Sequence, residues 1–110
     1  ELDGRAVEAA RRNVSDPRAE VIWADVRALG ERLTALDFIV MNPPFHDGGR
    51  EDRALGQAFI AAAAQALRKG GTCWLVANRH LPYEAVLQAA FAQVRPVAEA
   101  GGFKVFEARR

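Results

Sequence analysis

Phe38-Ile39-Val40-Met41-Asn42-Pro43-Pro44-Phe45 is the stretch whose reading decides the fold. Four apolar residues behind Leu36-Asp37 predict a short strand buried in a parallel sheet. The two prolines forbid both a helix and a continued ladder, so the chain must stop and turn where the strand ends. In open α/β sheets the carboxyl ends of the strands are where ligands bind. Asn42, held by two rigid prolines with the ring of Phe45 beside it, forms a preorganised polar clamp next to a stacking surface. Such a clamp suits a flat, nitrogen-bearing group such as a nucleobase.

Outward from this turn the pattern alternates. Residues from about Gly4 to Val14 read as a helix with Ala6, Val7, Ala10 and Val14 on one face, capped by Asp3 and closed by Ser15-Asp16-Pro17. Ala19 to Trp23 reads as a strand ending at Ala24-Asp25, and Arg27 to Leu33 as a weak helix or loop. After the Pro-Pro turn a long helix is expected from about Glu51 to Arg68. Leu55, Ala58, Phe59, Ala62 and Ala66 fall on one side of it, Arg68 and Lys69 occupy its last turn, and Gly70-Gly71 stops it. A core strand, Thr72 to Ala77, follows. Tyr83, Val86, Leu87, Ala90 and Phe91 line another helix. Val94 to Ala98 and Phe103 to Ala108, joined through Gly101-Gly102, predict a terminal antiparallel pair. The whole is an α/β chain with a doubly wound sheet. Trp23, Trp74, Phe59, Phe91, Phe103 and Phe106 fall at core periodicity and read as packing.

Composition narrows the function classes. The chain has 110 residues, 50% of them hydrophobic and 26% charged, which bounds it to one globular domain. A net charge of +1 gives no bulk basic signature. The single Cys73 excludes an internal disulfide and makes no metal site alone, and the two histidines and scattered carboxylates have no metal-ligand spacing. There is no signal peptide and no apolar run of membrane-spanning length, so a cytoplasmic protein is expected. A P-loop and a Gly-x-Ser-x-Gly elbow are both absent.

Asn42-Pro43-Pro44-Phe45 after a strand resembles the motif IV of class I S-adenosylmethionine (SAM) methyltransferases that act on amino nitrogens. Four separated stretches in order narrow the resemblance: Asn42 to Gly48, Val76-Ala77-Asn78, Leu81-Pro82-Tyr83, and Gly102-Phe103-Lys104-Val105-Phe106. Together they are similar to the RsmC/RlmG branch, the rRNA guanine-N2 methyltransferases. The resemblance runs from Glu1 to about Ala108. It implies a Rossmann-like fold, SAM as cofactor, and rRNA or a ribosomal subunit as substrate. It also implies that residues 1–110 are the carboxyl-terminal part of one methyltransferase domain, whose amino-terminal strand and Gly-rich loop lie outside this sequence. Glu1 then falls on the carboxylate that accepts the ribose hydroxyls, Asp25 on the acceptor for the adenine amine, and Val26 on the backbone that meets the ring. Asn42, with the Pro43 carbonyl, holds the target amine, Pro44 rigidifies the turn, and Phe45 stacks on the base. His46 is expected to orient substrate rather than to act as a base, because a guanine amine attacking a sulfonium need not lose its proton first. Arg79, at the end of the following strand, can meet a phosphate. Two rivals remain at this level: a protein-glutamine methyltransferase of the HemK type, and a degenerate methyltransferase-like module that binds RNA without catalysis.

Overall fold

The computed structural model describes residues 3–21, 25, 33–43, 50–79 and 81–110, with residues 50–52 described by backbone alone. Its elements are α1 (Gly4–Asn13), β1 (Leu36–Met41), α2 (Arg50–Ala66), β2 (Leu67–Asn78), α3 (Tyr83–Ala90), β3 (Gln93–Ala100) and β4 (Phe103–Arg109). β1 and β2 pair in parallel across the α2 crossover, and β4 inserts antiparallel between β2 and β3, giving the order β1-β2-β4-β3. The terminal antiparallel pair is therefore present, and it ties the end of the chain into the middle of the sheet.

Strand alternation sorts the side chains. Cys73, Leu75 and Ala77 of β2, with Phe106 and Ala108 of β4, turn towards α2 and α3 and are at most 3% exposed. They meet Ile60, Ala63 and Ala64 of α2 and Tyr83 and Leu87 of α3 in one apolar cluster. Along β1, Ile39 and Met41 face the same cluster, whereas Phe38 and Val40 face away and are 66% and 76% exposed. The expectation that β1 is buried throughout is corrected here: only one of its faces is covered. Phe38 finds a tilted ring contact with Trp74, centroids 5.5 Å apart.

Further features differ from those read in the sequence. The long helix ends at Ala66, and Leu67, Arg68 and Lys69 extend into β2. Leu67 is fully buried and pairs with Leu36, and Arg68 reaches sideways to the Asp37 carboxylate at 2.7 Å. Tertiary pairing has overridden helix propensity. The cation that serves the helix end is instead Arg110, whose guanidinium donates to the carbonyls of Gln65 and Leu67. Gly71 is fixed by close approach: a Cβ there would come within 2.9 Å of the Arg68 carbonyl oxygen and 3.0 Å of that of Leu36. Residues Ala19–Val21, read as the start of a strand, lie in none. The Ala19 N–H closes a turn onto the Asp16 carbonyl at 3.0 Å, and Arg18 folds back onto the Asp16 carboxylate. In α1 the Asp3 cap is present, accepting from the Arg5 N–H at 2.9 Å, but only Val7 of the expected apolar face is buried. Trp23 and most of the Arg27 to Leu33 segment lie outside the described residues.

Candidate functional site

Because β1 and β2 run parallel, their carboxyl ends open on the same side of the sheet. β1 delivers Asn42, which is exposed, and Pro43, which is buried. Met41 pairs with Leu75, so Asn42 stands one residue beyond that level and β2 continues three residues past it, to Asn78. β2 thus extends further than β1 towards this end of the sheet.

Arg79 closes β2 and is fixed by two contacts. Its N–H donates to the Gly102 carbonyl at 2.8 Å, and its guanidinium lies 3.6 Å from the Glu99 carboxylate. The β3–β4 hairpin is therefore pinned to the end of β2. Glu99 was not singled out in the sequence, and no local signal could have done so, because the pairing exists only once β4 is inserted between β2 and β3. The next turn is fixed by the Leu81 N–H donating to the Asn78 carbonyl at 3.1 Å. Leu81 and Tyr83 are buried beneath it. Burial pushes the Tyr83 hydroxyl above its ordinary pKa, so it is neutral across the physiological range.

A cavity of about 300 Å³ runs from the site between β1 and α2, lined by Ile39, Met41, Phe59 and Ala62 with Asn42 and Pro43 at its end. Asn42 is the polar group on an otherwise apolar wall. A larger groove of about 690 Å³ lies between α2 and α3, lined by alanines, Ile60 and Val86 with Gln57, Gln65 and Arg110, and does not include the strand ends. The sequence-derived residues Asn42 and Pro43 border the smaller of the two.

Of the sequence-derived site residues, the structure brings Asn42, Pro43 and Arg79 to the same end of the sheet. Asp25 is half-buried and lies in no helix or strand. Glu1, Val26, Pro44, Phe45 and His46 lie outside the described residues. Among the described residues no group of three or more His, Cys, Asp or Glu is placed to hold a metal, and no helix is long and apolar enough to cross a membrane.

The family described as "Methyltransferase small domain" matches residues 1–107. The ribosomal RNA small subunit methyltransferase C of Hahella chejuensis is 36% identical over 105 residues, covering 96% of this chain and 31% of that protein. Its counterpart from Idiomarina loihiensis is 43% identical over 72 residues, covering 66% and 22%. Among solved structures, the Thermus thermophilus 16S rRNA N2 G1207 methyltransferase (RsmC), in complex with AdoMet and guanosine, superposes with a TM-score of 0.72 at 33% identity. That match covers 96% of this chain and 27% of the enzyme. TrmN from Thermus thermophilus, at 22% identity and a TM-score of 0.61, shares the fold. The chain spans about a third of the length of the first of these curated relatives.

Proposed function

The chain belongs to the methyltransferase small domain family, and from that premise we propose that it serves SAM-dependent methyl transfer to the N2 amine of a guanine in ribosomal RNA. The observation that carries the proposal is the match, along 96% of the chain, to an enzyme crystallised with AdoMet and guanosine. A ribosomal substrate also fits a cytoplasmic location. The Asn78 to Tyr83 and Gly102 to Phe106 stretches favour the rRNA branch over a glutamine acceptor.

The acceptors at hand fit the two partners of the reaction: a half-buried carboxylate at Asp25 for the cofactor's adenine amine and an exposed carboxamide at Asn42 for the target amine. When bound, SAM supplies a methyl group on a positively charged sulfur. In this reading Glu1 accepts the ribose hydroxyls, and the Val26 backbone borders the adenine. The Asn42 carboxamide oxygen and the Pro43 carbonyl accept the two amine protons of the guanine. Holding those protons draws the nitrogen lone pair out of conjugation with the ring and aims it at the methyl carbon. Phe45 stacks the base, His46 orients it, and Arg79 meets a phosphate. No covalent intermediate is needed, because positioning and electrostatics do the work. SAM held there would supply the methyl group and leave as a neutral thioether, and the methylated amine would lose its surplus proton to solvent.

Incubating the full-length gene product with SAM and unmodified ribosomal RNA, then digesting to nucleosides, tests this. The expected product is N2-methylguanosine. Methyl groups on a protein glutamine would replace this reading with the HemK-type one. RNA binding without any transfer would point to the degenerate module.

A further inference from the structure

Arg79 lies at the ligand end of β2, yet its guanidinium is held away from Asn42. Its partner Glu99 belongs to β3, and the order β1-β2-β4-β3 puts that strand on the far side of β2 from β1. Three strand spacings separate the backbones of Asn42 and Glu99 by roughly 14 Å. A guanidinium 3.6 Å from the Glu99 carboxylate therefore leans across β4, away from a base held at Asn42.

Register sets Glu99 among charges of both signs. It pairs across the β3–β4 ladder with Lys104, so the two side chains share a face. That face is the one turned to α3, where the Lys104 ammonium donates to the Glu84 carboxylate at 3.1 Å. Glu84, Lys104, Glu99 and Arg79 thus alternate in sign from the first turn of α3 to the end of β2. Glu99 keeps Lys104 as a neighbour when Arg79 leaves, so release of the guanidinium strands no charge.

The backbone of Arg79 is fixed, because its N–H donates to the Gly102 carbonyl at 2.8 Å. A change of partner therefore falls to the side chain. The ion pair itself is open to water, its two side chains being 54% and 52% exposed. Such a pair is weak and yields to a competing anion. A phosphodiester is one, and a guanidinium meets it with the same parallel N–H donors that suit a carboxylate.

We propose that Glu99 is a competing anion that holds Arg79 in reserve. It keeps the guanidinium on the β3 side while no RNA is bound and gives it up to the phosphate of the nucleotide seated at Asn42. The proposal rests on RNA being the substrate and on Arg79 meeting its phosphate. A guanidinium engaged on Glu99 for part of the time lowers the apparent affinity by that fraction. Glu99 thus sets how tightly RNA binds without touching it.

Glu99→Gln, Arg79→Gln and the double variant are compared with wild type in the full-length gene product. Binding is read by filter retention of end-labelled, unmodified ribosomal RNA, and turnover on the same RNA. Glu99→Gln should bind RNA roughly 2- to 5-fold more tightly and lower KM by the same factor, the worth of one exposed ion pair. Its kcat and SAM affinity should match wild type. Arg79→Gln should weaken RNA binding, and in that background Glu99→Gln should change nothing further. Equal or weaker binding by Glu99→Gln would overturn the proposal, since a carboxylate that only orients Arg79 or braces the hairpin gives no gain when removed. A gain that persists in the double variant would overturn it as well, by showing general repulsion between Glu99 and RNA. Wild-type affinity in Arg79→Gln would remove the phosphate contact and the proposal with it. If wild type makes no N2-methylguanosine, the functional reading falls, and the filter comparison still decides the role of Glu99.

Discussion

The two faces of this sheet are built from alternating residues of the same strands, yet they are in opposite conditions. Facing α2 and α3, Cys73, Leu75, Phe106 and Ala108 are at most 1% exposed. Facing away, Phe38, Val40 and Phe103 are 46–76% exposed. Burial and exposure thus fall to different residues of one strand, often to sequence neighbours such as Phe38 and Ile39.

Truncation on the closed face should show the largest effect. Leu75→Ala or Phe106→Ala should each cost about 2–5 kcal/mol of unfolding free energy in a urea titration, through lost burial and an unfilled cavity. A loss below about 1 kcal/mol would mean that the cluster is not the packed core. On the open face Val40→Thr, which keeps shape and strand propensity, should change stability by no more than about 0.5 kcal/mol. A cost above about 1.5 kcal/mol at Val40 would sharpen the comparison differently, by showing that another part of the full-length protein covers that face.

A pH dependence is also expected, confined to the closed side. Burial pushes the Cys73 thiol up to about 11 from an ordinary 9.0. A raised pKa means that the folded state favours the protonated thiol. Its contribution is therefore fully present below pH 9.0 and is lost as pH rises towards about 11. Urea midpoints of wild type and Cys73→Val should converge across that window. A constant difference would show that the thiolate is not excluded from the native state. Alkylating reagents should leave the native thiol untouched at neutral pH.

The same contrast explains what the sequence could and could not announce. β1 and its stop at Asn42-Pro43 are local facts: an apolar run, then two residues that cannot continue a ladder. They were legible to the residue. The end of α2 was not, since Leu67 to Lys69 carry good helix formers, and only the pairing of Leu67 with Leu36, the reach of Arg68 to Asp37 and that of Arg110 to Gln65 and Leu67 draw them into the sheet. Phe103 shows the limit most sharply. Its period-2 placement is readable, but which face of β4 is covered depends on where α3 settles, and that is a property of the whole fold. The partnership of Arg79 with Glu99 has the same character. The sequence places the cation at a strand end, and β3 supplies its carboxylate only once β4 is inserted between β2 and β3.

The most direct test of the central claim is the turnover of Asn42→Ala on ribosomal RNA, measured in the full-length gene product beside its SAM affinity. Removing one preorganised polar group aimed at the reacting amine should lower kcat on the order of 10²-fold or more, with SAM binding nearly unchanged. Wild-type turnover in that variant would contradict the clamp at the end of β1, and with it the mechanism built on it.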